Sequence, residues 1–187
     1  AKAGIARGYL TLVGLGPGSP EWRTAECMTV LRQAEEIVGF QMYIDLIDDL
    51  DLTAHKHAFK IGAESERVRT ALDLAMQGRR VALICSGDAG IYAMAALTYE
   101  IVDESPRVDW RRLDITVAPG ISALQGAAAR IGAPLGHDFC TISLSDLLTP
   151  WQVIENRIRA AADGDFVVAF YNPVSRRRNT QLPAARD

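Results

Sequence analysis

The chain has few cysteines, almost no charge imbalance and no long apolar run. Its three cysteines, Cys27, Cys85 and Cys140, stand far apart, and their number is odd. That spacing supplies no metal knuckle and no disulfide ladder, so a reducing, cytoplasmic setting is expected. A formal net charge of -3 gives no basic field, and nucleic-acid binding is not expected. No apolar run approaches the ~20 residues of a membrane span, and no membrane association is expected. Residues 1–8 lack the apolar core of a signal peptide. What is present is an apolar share of 49%, enough for a packed core and too high for disorder.

Short apolar runs alternate with helical periodicity. Residues 9–13, 36–39, 81–85, 113–118, 139–144 and 166–171 read as strands. Helices are predicted over residues 20–34, with Ser19 as N-cap and Pro20 first, and over residues 64–77 and 89–102, and one opened by residues 119–123 runs to residue 131. A further helix carries Trp151, Ile154, Ile158 and Ala161, and residues 42–50 have helical spacing. The alternation implies an α/β protein with mostly parallel sheets. A boundary is placed after residue 112, giving an N-terminal α/β domain over 1–112 and a second over 113–187. His55 and His57 share one face of a strand-like segment. They could seed a metal site, but no third ligand stands near in sequence, and no metal is expected.

Strands followed by loops of unusual composition recur at Gly14, Ser86, Pro119 and Asn172. In open α/β sheets, ligands bind outside the carboxyl ends of strands. The loop Gly14-Leu15-Gly16-Pro17-Gly18 is neither a dinucleotide fingerprint nor a Walker loop. Pro17 also removes an amide that a phosphate cradle would use. The loop suits a non-phosphate ligand lying against backbone, or is only a tight turn. In Ser86-Gly87-Asp88-Ala89-Gly90 the glycines permit close approach and the acid can bond a ligand's donors or a cation; a solvated turn is the other reading. Arg176, Arg177 and Arg178 form either a solvated face or a clamp for a carboxylate-rich ligand.

The glycine loop, Ser86-Gly87-Asp88 and Pro119-Gly120-Ile121-Ser122-Ala123 resemble, in that order, the motifs of the tetrapyrrole (corrin/porphyrin) methyltransferases. That resemblance implies two αβα domains with mostly parallel or mixed sheets and a cofactor cleft between them. Family members continue for several elements past the arginines, so a second domain that is incomplete at Asp187 is expected. Carried over, the family places S-adenosylmethionine against Pro17, Ser86, Gly87, Asp88, Ile91, Ser122, Ala123 and Asn172, leaving S-adenosylhomocysteine as product. The acetate and propionate arms of a tetrapyrrole substrate make Arg176, Arg177 and Arg178 its expected partners. Relatives are typically homodimers.

Residues 132–140, 143–151 and 171–178 are similar to the members that methylate a precorrin at C(17) in cobalamin synthesis. The implied reaction takes precorrin-3B to precorrin-4 with ring contraction. Methyl transfer needs mainly alignment, which can supply ~7–11 kcal/mol of a barrier. Contraction moves protons, and His137 is the candidate acid because its ordinary pKa lies near neutrality; Asp138, Asp146 and Tyr171 are the others. The rival readings are a nucleotide-dependent oxidoreductase, which the glycine spacing opposes, a non-catalytic or truncated tetrapyrrole- or nucleotide-binding module, and a methyltransferase for a different precorrin carbon.

Overall fold

The computed structural model describes residues 7–132, 135–175 and 178–186. The chain forms two compact units, Ala1–Gly126 and Ala127–Asp187. In the first, β1 (Tyr9–Gly14), β2 (Glu36–Phe40), β3 (His55–Phe59), β4 (Arg80–Cys85) and β5 (Asp114–Ala118) make one sheet in the order β3-β2-β4-β1-β5. Every pairing is parallel. The helices are α1 (Ala25–Gln33), the short α2 (Gln41–Asp45), α3 (Glu64–Met76), α4 (Met94–Glu104) and α5 (Ala123–Ile131).

The central strands are apolar on both faces because helices cover both. Leu10, Leu12, Val81 and Leu83 pack with Val68 and Leu72 of α3 and Met94 and Ile101 of α4. Val13, Ala82 and Ile84 point the other way, onto Cys27 and Leu31 of α1 and Ile44 of α2. Each buried Leu, Ile, Val or Met side chain among these contributes about 1.5–3 kcal/mol. This alternation fixes the register, since a one-residue slip would exchange the two faces.

Three expectations are corrected. The boundary after residue 112 falls just before β5, which pairs with β1 along its length, so the first unit runs on to Gly126, inside α5. The first helix starts at Ala25, not Pro20: residues 20–22 form a 3-10 turn, and Thr24 caps α1 by accepting from the Cys27 amide. Arg23 enforces the break. Its guanidinium grips Asp49 with two 2.8 Å bonds and also donates to the Leu46 carbonyl. The helix predicted from residue 89 begins at Met94, after turns that include Tyr92 at φ 49. The loop after β4 is thereby longer than expected. The helix expected over residues 64–77 ends at Met76, and Gly78 follows at φ +88 with its amide donating to the Ala75 carbonyl.

The second unit contains β6 (Phe139–Ser143), α6 (Trp151–Asp163), β7 (Val167–Tyr171) and α7 (Gln181–Arg186). β6 and β7 pair in parallel as a two-stranded sheet, and α6 is the crossover. Ile142, Leu144, Ile154 and Ala161 form its core, with Val168 and Phe170 against them. Among the described residues no helix is long and apolar enough to cross a membrane.

Candidate functional site

β1 and β4 are neighbours, yet β1 leads to α1 on one face and β4 leads to α4 on the other. Chain departing to opposite faces opens a crevice at the strands' carboxyl ends, where open α/β sheets hold ligands. The loops there are bound to each other by backbone. Gly16 and Gly87 exchange two hydrogen bonds, of 3.1 and 2.8 Å, and the Leu15 amide donates to Cys85 at 2.9 Å. Gly16 and Gly87 have φ of 80 and 67, a conformation that favours glycine. Gly14 and Gly120 are required for closeness: a Cβ on Gly120 would stand 2.1 Å from the Gly87 oxygen, and one on Gly14 would stand 2.5 Å from it.

Asp88 fastens this arrangement. One carboxylate oxygen accepts from Gly90 at 2.8 Å and the other from Gly120 at 3.0 Å. The loop after β4 is therefore tied to the loop after β5. Ser86 and Ile91 are half-buried nearby in sequence, and the Ile91 amide donates to the Asp88 carbonyl. Pro17 is half-buried and packs on α5, where a Cβ at Gly126 would come within 3.0 Å of its Cγ and 2.7 Å of the Trp22 ring. Gly126 thus serves close packing, whereas Ala123, Ala127 and Ala129 are exposed. Ser122 is buried and caps α5: its hydroxyl accepts from the Gln125 amide while Gln125 accepts from the Ser122 amide. Ala123, the first residue of α5, is exposed.

The motifs around Asp88 and Ser122, expected on two sheets, both leave the first sheet. A residue outside the predicted set belongs with them: Thr24 caps α1 and also donates to the Pro119 carbonyl at 3.2 Å. Ser122-x-x-Gln125 is the capping-box spacing, and for α1 the signal is the residue type of Thr24 alone.

In the second unit, Asn172 ends β7 at φ 51, and its side-chain amide donates to Ser143 Oγ at 3.0 Å. Arg178 is engaged internally. It donates to the Asn172 carbonyl and to Ser145 Oγ, each at 2.9 Å, and to Asp146 at 3.3 Å. Its side chain is 13% exposed. Arg178 therefore braces the loops after β6 and β7, a different job from the free clamp expected of it. Arg176 and Arg177 lie outside the described residues. His137 and Asp138 are exposed in the approach to β6.

Burial pushes the Cys85 thiol up to about 12 and the Cys27 thiol up to about 11, so neither is a nucleophile at neutral pH. A hollow of about 310 Å³ in the first unit is lined by Tyr9, Thr11, Val30, Gln33, Arg80 and Thr116 among others. It sits toward the amino ends of β1 and β4 and contains none of the predicted ligand residues. The carboxyl-end loops are favoured over it because topology and loop chemistry coincide there.

The loops test what could bind. Residues 14–19, 86–92 and 119–122 contain no lysine or arginine and one carboxylate, Asp88. A phosphate-bearing cofactor would meet no compensating charge from them. A cationic ligand with hydroxyl and amide-like edges fits their backbone groups and their one acid.

These features define an α/β protein with its ligand loops at the carboxyl ends of a parallel sheet. Residues 9–186 match the family Tetrapyrrole (Corrin/Porphyrin) Methylases, and the chain belongs to that family of methyltransferases. It is 48% identical over 182 residues to a Salmonella typhimurium protein named probable cobalt-factor III C(17)-methyltransferase, covering 95% of this chain and 72% of that one. It is 43% identical over 178 residues to the precorrin-3B C(17)-methyltransferase of Sinorhizobium sp, covering 95% and 69%. Among solved structures, the methyltransferase CobJ superposes with a TM-score of 0.88 at 41% identity, covering 95% of this chain and 73% of that one.

Proposed function

We propose that this chain is an S-adenosylmethionine-dependent methyltransferase that methylates C(17) of precorrin-3B, with ring contraction to precorrin-4, in cobalamin biosynthesis. The observation that carries this reading is the fastening of three base-free loops around Asp88 at the carboxyl ends of β1, β4 and β5. The relatives support the position methylated: both are named for C(17), one on cobalt-factor III and one on precorrin-3B.

When bound, S-adenosylmethionine supplies a methyl group already activated on a sulfonium. The chain's part is to bind, orient and exclude water. Gly87 and the glycine loop offer backbone at close range, and Pro17 and Ile91 supply apolar surface. Asp88 retains unused lone pairs on both oxygens beyond its two loop bonds, so it can accept from a ligand while holding the crevice in shape. Ser86 offers its hydroxyl at the end of β4, and Ser122 and Ala123 offer main-chain groups at the start of α5. Positioning of this kind can supply ~7–11 kcal/mol, enough that no nucleophilic triad is needed. Asn172, its loop held by Arg178, is a further proposed cofactor contact. Arg176 and Arg177 pair with the carboxylate arms of the macrocycle. His137, exposed before β6, is the proposed proton donor for contraction. The acting species is a homodimer in the cytoplasm, a state that light scattering on the purified protein checks.

The direct test offers the purified chain methyl-labelled S-adenosylmethionine with precorrin-3B, and in parallel with cobalt-factor III. Label in a C(17)-methylated product from precorrin-3B is expected. Transfer only to cobalt-factor III would correct the substrate. Binding of S-adenosylhomocysteine without transfer to either would favour a non-catalytic module.

A further inference from the structure

Glu36 opens β2 and His55 opens β3, and the parallel register sets them opposite each other. His57 lies two residues on, so it shares a face with His55. Among the described residues β3 is the edge strand of the sheet. The third group missing from the sequence near the two histidines is thus delivered by the neighbouring strand. Glu36 Oε2 lies 2.7 Å from His57 Nε2 and 3.5 Å from His55 Nδ1, and the two ring nitrogens are 3.0 Å apart.

Three polar atoms this close meet either around a shared proton or around an ion. A neutral imidazole nitrogen carries either a proton or a lone pair. If His57 Nε2 donates to Glu36, it has no lone pair for His55 Nδ1, although that atom faces it. A single cation satisfies all three as acceptors. The spacing also suits one. A circle through the three atoms has a radius of about 1.8 Å, and zinc–nitrogen and zinc–oxygen bonds run ~2.0–2.2 Å, so an ion can reach all three from just outside their plane. Arg79 Nε stands 4.0 Å from the other Glu36 oxygen, which leaves Oε2 to the histidines. The Glu36 side chain is 13% exposed, His57 24% and His55 73%, so the site has a fixed base and an open side for entry and for water ligands.

We propose that Glu36, His55 and His57 form a site for a divalent first-row transition ion, with zinc as the probe. Two imidazoles and one carboxylate suit such ions better than calcium or magnesium. The site lies at the amino ends of β2 and β3, away from the carboxyl-end loops of the candidate active site, and pins the edge strand to its neighbour. It is independent of the proposed methyl transfer.

The test titrates chelator-stripped protein with zinc chloride by calorimetry and repeats the melting curve. One saturable equivalent is expected, with a melting temperature raised roughly 5–10 °C at a hundredfold excess over Kd. Glu36→Gln should weaken binding by more than the ~10–100-fold that loss of an outer-shell partner costs. The double variant His55→Ala with His57→Ala should abolish it. His137→Ala, which alters the third of the chain's 3 histidines, should leave it intact. Should the variants misfold, imidazole NMR signals of the unaltered chain decide: zinc must shift His55 and His57 and spare His137. No saturable binding, shifts at His137 instead, or binding that survives the double variant through Cys140 overturns the site.

Discussion

Asp88 and Gly120 are joined by a 3.0 Å hydrogen bond, amide to carboxylate, between the loops of two strands that flank β1. The same carboxylate holds Gly90 at 2.8 Å. Asp88→Ala removes both bonds and leaves two amides to find water. Hydrogen bonds to a charged group contribute about 1.5–3 kcal/mol, so the dissociation constant for S-adenosylhomocysteine should rise roughly 10- to 100-fold. Asp88→Asn keeps one acceptor oxygen and turns an amino group toward the other amide, so an intermediate loss is expected. Calorimetric titration reads both, and an unchanged constant in the alanine variant removes Asp88 from the cofactor site.

Gly120→Ala should damage the fold itself. Its Cβ would stand 2.1 Å from the Gly87 oxygen and 2.7 Å from the Gly14 carbonyl carbon, and backbone cannot swing aside as a side chain can. Overpacking costs about 1–3 kcal/mol, more where the contact is rigid. A lower urea midpoint with an unchanged slope is the expected readout. Gly136→Ala meets nothing within 4 Å and should leave the midpoint nearly in place.

Much of this architecture is legible in the sequence, for identifiable reasons. β4 reads as a buried strand because Val81 to Cys85 are apolar on both faces, and its loop is legible because composition changes abruptly at Ser86. Neighbourhood is harder to read. In β5, Asp114 and Thr116 are exposed and alternate with half-buried Ile115 and Val117, a pattern that gives a strand but not the sheet it joins. The boundary drawn before it therefore fell one strand early. Glu36 cannot be linked to His55 from spacing, because parallel register alone brings them together. Arg178 resembles its two arginine neighbours in sequence, and only folding sets it against Ser145 and Asp146.

The buried thiols make alkaline stability a measurable consequence. Burial is the leading cause that raises Cys27 from 9.0 to about 11 and Cys85 from 9.0 to about 12. A raised folded value means that the native state holds protons the unfolded chain releases. The stabilisation is complete below pH 9 and is lost as pH rises toward those folded values. Urea midpoints should fall across that window, and the fall should flatten in a Cys27→Ala, Cys85→Ala double variant compared at its own neutral midpoint. A thiol reagent at pH 8 should modify half-buried Cys140 first and reach the buried pair only on unfolding.

At the acid end Asp146 is one of the sensitive groups. Its own backbone amide is the largest cause holding the carboxyl below its ordinary 3.8, desolvation opposes this, and Gln181 and Arg178 add to the lowering. A lowered folded value gives the opposite sign: the contribution is present above the ordinary value and disappears as pH falls through the depressed one. Amide NMR signals of Ser145 and Asn172 should therefore move together below pH ~4, and Asp146→Asn should remove that transition. Arg178→Gln should disturb the same signals at neutral pH, because its guanidinium binds Ser145 Oγ and the Asn172 carbonyl. Arg176→Gln and Arg177→Gln should instead raise the KM for the tetrapyrrole and leave those signals in place. If Arg178→Gln raises KM with both signals undisturbed, Arg178 is a direct substrate contact and the bracing role fails.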